Sequence, residues 1–392
     1  MKFLQNLIDK VNNTDSELLI TFINYSKAFD TVNHQTLINK LVSLKFGNNF
    51  INLIIDYLSD RRQFVLIDDK KSKNTNVKFG VPQGSILGPI LFNIYVHDLS
   101  DKITSSSIQF ADDTTIYTSC KPRKLDSCKS LLQQDIDSIG QWSNQSNLLF
   151  NAKKTKTMLF STDEMSRTHD LDKTMLQIAS GGKQLERVNS QKLLGVNLST
   201  NLKWNVHVDE VLKATYGTLR TLKQIKRMTP FNLRKNLAEA LVLYKIDYAI
   251  TVYGNHIQHY LQNRIQKVIN CTAGYVNNRY TKQIDVVNLK WLPFQERVAF
   301  ATSKLAQKAI HDPNWPSYLS IQIKRTVRTL RGNNDNENII VRSKYEKSLN
   351  GSMYKHFNEL PKNIRVISDN KKFKDDAKTY YLDKALARTL SY

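Results

Sequence analysis

Cysteine is scarce in this 392-residue chain: Cys120, Cys128 and Cys271 are too few and too scattered for a disulfide framework or a four-cysteine zinc site. No histidine pair supplies metal-ligand spacing in their place, so the thiols read as buried or incidental. Long apolar runs are missing as well. Leu241 to Tyr253 is interrupted by Lys245 and Asp247, and the N-terminus carries Lys2, Asp9 and Lys10 without an apolar signal region. That pattern excludes a membrane partner of the spanning kind and points to a soluble, intracellular protein, nucleus or cytoplasm undecided. Acidic residues are outnumbered, 35 Asp and Glu against 57 Lys and Arg, for a formal charge of +22. The excess is more than solubility requires and favours a polyanion, nucleic acid ahead of an anionic membrane surface.

The length allows two or three domains, and no internal repeat is evident. Leu18 to Tyr25 reads as a buried strand. Asn33 can cap a following helix whose stripe is Leu37, Leu41 and Leu44, with Ile38 and Val42 beside it. A strand followed by a helix suggests α/β or α+β. Asp68 to Lys78 is charged and asparagine-rich, hence exposed, and Gly80 to Pro89 punctuates the entry to the apolar segment Ile90 to Leu99. Lys124 to Trp142 carries Leu125, Leu132, Ile136 and Ile139 at helical spacing and predicts a helix lying on the sheet, with Thr155 to Ser161 the next strand. From Val206 the pattern turns helical, over Val208 to Arg227 and Pro230 to Tyr253. In the first of these, Arg220, Lys223 and Arg227 share a face that can follow a phosphate backbone or simply be solvated, while Leu219, Leu222 and Ile225 supply apolar contacts. Gly332 to Asn338 reads as a surface loop ahead of a final helical or mixed region.

Between the β-forming runs Ser107 to Phe110 and Thr114 to Thr118 stand Asp112 and Asp113, which a tight hairpin can present together to magnesium. Two-metal nucleotidyl transfer requires hard oxygen ligands of this kind. Exposed turns also favour aspartate, so the pair alone leaves both readings open. Such a clamp normally takes a further carboxylate from a separate strand. Leu18 to Asp30 provides the strand, but Asn24 stands where the carboxylate is needed.

Three segments in order, Tyr25-Ser26-Lys27-Ala28-Phe29-Asp30-Thr31-Val32-Asn33-His34, Gly80-Val81-Pro82-Gln83-Gly84-Ser85-Ile86-Leu87-Gly88-Pro89 and Phe110-Ala111-Asp112-Asp113-Thr114, resemble the reverse transcriptases of non-LTR retrotransposons, particularly the jockey-like and CR1-like elements. The likeness continues through Asn151-Ala152-Lys153-Lys154-Thr155 and Leu193-Leu194-Gly195-Val196, then more weakly onward. It implies an α+β polymerase palm over residues 1–199, a helical thumb over 200–271 and a C-terminal region, mainly helical, over 272–392. It implies RNA-directed DNA polymerase chemistry on an RNA template with a DNA primer, deoxynucleoside triphosphates and Mg2+. No protein partner is implied.

By the same resemblance, Asp112 and Asp113 are the metal-binding pair and Asn24 occupies the position of the first catalytic aspartate. Phe29 sits below the incoming sugar and excludes a 2′-hydroxyl, where the plain alternative is a core phenylalanine. Gln83 and Gly84 contact template or nucleotide, and Lys154 approaches the triphosphate. Leu194 and Gly195 belong to the primer grip; Arg220, Lys223 and Arg227 remain candidate nucleic-acid contacts on the strength of their shared helical face. Asp30 is assigned to local capping or turn bonding before the Asn33 helix, and Trp204 to the core or to a platform in the palm–thumb junction rather than to a separate base-binding site. Phe357-Asn358-Glu359-Leu360-Pro361 resembles a family segment that commonly begins with Trp. About seventeen residues precede the first palm strand, which suggests an N-terminally truncated copy without fingers or endonuclease. Catalysis is accordingly expected to be weak or absent, binding to outlast it, and Asn24→Asp alone to leave a weak enzyme. The rival function is a nonenzymatic RNA- or DNA-binding remnant.

Overall fold

The central strand is largely apolar because both its faces are covered. In the computed structural model, which describes residues 17–279, 283–316 and 349–390, strand β1 (Glu17–Ile23) has every residue buried. The expected loop at Gly332 to Asn338 lies outside the described residues. The chain forms two compact units, one over Thr14–Gln191 and one that takes in Lys192–Tyr392.

In the first unit β1 is followed by helices α1 (His34–Ser43), α2 (Asn48–Leu58) and α3 (Leu87–Tyr95). Then come β2 (Ser106–Phe110), β3 (Asp113–Cys120), helix α4 (Leu125–Gln145), β4 (Lys156–Phe160) and β5 (Glu186–Arg187). The five strands form one sheet in the order β5-β4-β1-β3-β2, antiparallel except for the β4–β5 pair. Leu19 and Ile23 enter a core with Leu132, Ile136 and Ile139 of α4 and with Leu91 and Phe92 of α3. Each such side chain contributes about 2 kcal/mol by burial.

Asn33 caps α1 as its position suggests, accepting a hydrogen bond from the Thr36 amide at 2.9 Å. The stripe is narrower than the sequence implied: Leu37 and Leu41 are buried, whereas Val42 and Leu44 are exposed. The charged stretch from Asp68 to Lys78 forms short exposed strands. The apolar run from Ile90 is not one element. It ends α3 at Tyr95 and continues as a 3-10 segment, His97–Lys102.

The second unit is helical after the strand Val196–Ser199. Among the described residues its long helices are α5 (Asn205–Gln224), α6 (Phe231–Ala238), α7 (His259–Asn277), α8 (Phe294–His311), α9 (Leu349–Asn358) and α10 (Asn370–Leu390). Sheet with helices first, helices alone afterwards, is the α+β palm-and-thumb arrangement. Two boundaries differ from expectation. Helix α5 stops at Gln224, so Ile225 falls out of phase and is exposed, and Arg227 lies in a separate 3-10 turn, Lys226–Met228. The single helix expected from Pro230 to Tyr253 is broken. Pro230 takes the cap position, Glu239–Leu243 widens into a π-turn where Glu239 accepts a hydrogen bond from the Trp291 indole at 2.6 Å, and Ala249 turns left-handed at φ 53°.

Trp204 is buried, as expected. The Phe357 to Pro361 segment anchors the C-terminal helices. Phe357 and Leu360 are buried with Phe373 and Tyr381 of α10, and Glu359 pairs with Lys384 at 3.0 Å. Among the described residues no helix is long and apolar enough to cross a membrane.

Candidate active site

Ile23 pairs with Thr114 at the last rung between β1 and β3. One residue further along each strand stand Asn24 and Asp113, so the register brings the amide position to the acidic end of the hairpin. Phe110 pairs with Asp113, leaving Ala111 and Asp112 as a two-residue turn. Ala111 holds φ 54°, a left-handed conformation that costs a non-glycine residue about 1 kcal/mol. That turn sets Asp112 and Asp113 side by side.

Asn24 ends the strand because its backbone is bonded elsewhere. Its N–H donates to Thr155 Oγ1 at 3.2 Å, and its carbonyl accepts from the Asn151 N–H at 2.9 Å. Asn151 Nδ2 also donates to Ser26 Oγ at 3.0 Å. The Lys154 N–H donates to the Asn151 carbonyl at 3.1 Å and to Asn151 Oδ1 at 3.2 Å. The segment bearing Lys154 is thereby bolted to the backbone of Asn24. Sequence reasoning singled out Lys154 but not the clamp made by Asn151 and Thr155. The signal was available, since Asn and Thr side chains readily bond to neighbouring backbone.

The glycine-rich segment closes over the residues after β1. Gly80 N–H donates to Val32 O at 2.7 Å, Val81 N–H to Phe29 O at 2.9 Å, and His34 Nε2 meets Gly80 O at 2.8 Å. Gly80 has φ 88°, and a Cβ there would stand 2.9 Å from Asp30 Cα and O. Gly80→Ala should therefore lift this segment and cost about 2 kcal/mol of stability; a denaturant midpoint unchanged from the parent would refute the close packing.

Gln83 Nε2 donates to Asp30 Oδ1 at 2.9 Å. The capping expectation for Asp30 is corrected here: its backbone closes a short turn onto Lys27, but its carboxylate holds Gln83 from 53 residues away, and Asn33 caps the helix itself. Gly84 follows at φ 82° with open space around it. Phe29 is half-buried and stacks on Phe92, with ring centroids 4.5 Å apart at 21°. The stack fixes one face of the ring and ties it to the core.

Burial and then the charge of Asp112 raise the Asp113 carboxyl above its ordinary range. Two carboxylates sharing a turn repel until a cation joins them. Among the described residues no group of three or more His, Cys, Asp and Glu side chains clusters as a metal site. At residue 24, whose backbone is in register with the acidic hairpin, the side chain is neutral: Asn24 Oδ1 is buried and has no hydrogen-bond partner. A buried carbonyl oxygen without a donor is chemically suited to a hard cation, though an amide at this position brings one negative charge fewer than a carboxylate would.

The remaining sequence-derived residues lie in the second unit. Leu194 and Gly195 form a turn, at φ 47° and 80°, and not a strand interior. Tyr248 donates to Leu194 O at 2.7 Å, and its ring would stand 2.9 Å from a Cβ on Gly195. Arg220, Lys223 and Arg227 are exposed, Arg227 outside the helix that carries the other two.

Residues 1–198 match the family described as reverse transcriptase (RNA-dependent DNA polymerase). The chain is 25% identical over 244 residues to the RNA-directed DNA polymerase from mobile element jockey of Drosophila melanogaster, covering 59% of this chain and 25% of that one. It is 27% identical over 278 residues to the probable RNA-directed DNA polymerase from transposon BS of the same organism, covering 65% and 29%. For the probable polymerase from transposon X-element the identity is 24% over 273 residues, covering 66% and 29%. The matched region thus spans less than a third of the length of these curated relatives.

Proposed function

Because this chain belongs to the reverse transcriptase family, of the non-LTR retrotransposon type, we propose that it is an RNA-directed DNA polymerase module whose catalysis is impaired at one metal ligand. The observation that carries this reading is the buried, unpartnered Asn24 Oδ1 in register with the acidic hairpin. Bound magnesium would supply the positive charge that activates a primer hydroxyl and neutralises a triphosphate. Asp112 and Asp113 would hold it, with Asn24 as a neutral third donor. Lys154, on its clamped turn, would add a cation toward the triphosphate. Phe29, fixed by Phe92, and Gln83, held by Asp30, would constrain the sugar and the template or nucleotide. Leu194 and Gly195 would contribute to holding the primer.

The neutral amide is the weak point. Charge placed where charge develops in the transition state is among the largest contributions to catalysis, and binding the ground state does not replace it. The same observation favours a second reading, a nonenzymatic RNA- or DNA-binding remnant. Primer extension on an RNA template with magnesium separates the two: Asp112-dependent product supports the polymerase, and its absence at every enzyme concentration supports the remnant.

Both readings require salt-sensitive binding. Replacing Arg220, Lys223 and Arg227 together with Ala should lower the slope of log affinity against log salt for primer–template by about 2 to 3. Equal slopes for parent and variant, measured by fluorescence anisotropy, would remove these residues from the nucleic-acid face.

A further inference from the structure

Helices α5 and α7 run parallel, registered near their starts by the Arg264–Asp209 ion pair at 2.7 Å. Between their later turns lies an open groove of about 580 Å³, lined by residues that include Tyr216 and Lys223 of α5, Lys226 of the turn beyond it, and Lys267, Cys271 and Tyr275 of α7. The spacing explains the convergence. Lys267, Cys271 and Tyr275 recur every four residues and share one face of α7, while Tyr216 and Lys223 are seven apart on α5.

None of the three lysines has an acidic partner among the described residues, and the nearby Arg279 is occupied by Asp285 at 2.6 Å. Part of their charge answers the carbonyl ends of two parallel helices. Helix ends explain neither the groove nor its floor. Tyr275 is 1% exposed, and its hydroxyl has no hydrogen-bond partner. Closed off from solvent, that hydroxyl offers no contact to an occupant of the open groove, whose polar lining includes the three lysines. The wall between the lysines is largely apolar, with the half-exposed ring of Tyr216 along it. The volume lies within the range of small-molecule sites and exceeds what a bare phosphate fills.

We infer that this groove binds a 5′-phosphorylated nucleotide, its phosphate among Lys223, Lys226 and Lys267 and its base along Tyr216. The occupant is either a free mononucleotide or the phosphorylated end of a strand. The groove belongs to the second unit and the acidic hairpin to the first; the inference shares Lys223 with the proposed nucleic-acid face and rests on no step of polymerase chemistry.

Cys271 supplies the test, being the exposed thiol of the three while Cys120 and Cys128 are buried. Maleimide labelling of Cys271 in the full chain should slow about tenfold with saturating adenosine 5′-monophosphate, and little with adenosine or inorganic phosphate alone. The double variant Lys226→Gln with Lys267→Gln should lose this protection. Greater protection by an RNA bearing a 5′-phosphate than by the mononucleotide assigns the occupant to a strand end; the reverse order assigns it to the free nucleotide. Three results would overturn the inference: no protection by the mononucleotide, equal protection by phosphate alone, or undiminished protection of the double variant.

Discussion

Asn24→Asp should raise primer extension on an RNA template by about two powers of ten, from a very low parental rate. The substitution is nearly isosteric and meets no competing donor, since Asn24 Oδ1 has no partner to lose. It returns a negative charge to the strand end in register with Asp113, while the backbone of residue 24 stays held by Asn151 and Thr155. Asp112→Ala and Asp113→Ala should abolish extension in both backgrounds. The pH profile adds a second readout. Asp113 titrates above the ordinary aspartate range, so magnesium-supported activity should fall on acidification at a higher pH than an unperturbed aspartate would give. A repaired chain no faster than its parent would mean that the charge at residue 24 does not limit the reaction.

At the other end of the same strand, Glu17→Gln should stabilise the protein at neutral and alkaline pH. Glu17 is fully buried, neither carboxyl oxygen has a partner, and burial pushes its carboxyl up to about 7 from 4.5. Its neighbour across the sheet is Cys120, whose thiol burial also pushes up. Between pH 4.5 and 7 the folded chain therefore holds more protons at this site than the unfolded chain does. Stability from this site is greatest on the acid side, falls as pH rises through that window and stays low above it. The full difference is on the order of 3 kcal/mol. Chemical denaturation at pH 4 and pH 8.5 checks it: the glutamine variant should come close to the parent at the lower pH and exceed it at the higher. A parent that loses nothing relative to the variant across that range would show that Glu17 ionises without penalty.

The elements with strong local signals were legible in the sequence. The apolar run of β1, the Asn33 cap, the period of α4 and the hairpin around Asp112 and Asp113 each express one rule over a few neighbouring residues. What escaped depends on partners far along the chain. Nothing local tells that the Asp30 carboxylate turns toward Gln83, or that Thr155 and Asn151 seize the backbone of Asn24. Helix interruption was equally hidden. The π-turn at Glu239 accompanies a bond to Trp291, and the stop after Gln224 strands Ile225 and Arg227, although the pattern of residues runs on without a break. The lysines around the groove read as ordinary solvated charge until α7 lies beside α5.

The sheet order has a cost in time. Strand β1 is made before both its neighbours, which pair with it across about 100 and about 140 residues of intervening chain. At ribosomal speeds of roughly 5–20 residues per second, Leu18 emerges on the order of ten seconds before its partner Phe160. Until β3 emerges this largely apolar segment, ELLITFI, has both edges unpaired, and one edge stays open until β4 follows, the condition under which strands recruit one another between molecules. The topology that brings the acidic hairpin to the end of β1 thus makes the nascent chain prone to self-association. Refolding yield should accordingly drop steeply as protein concentration rises.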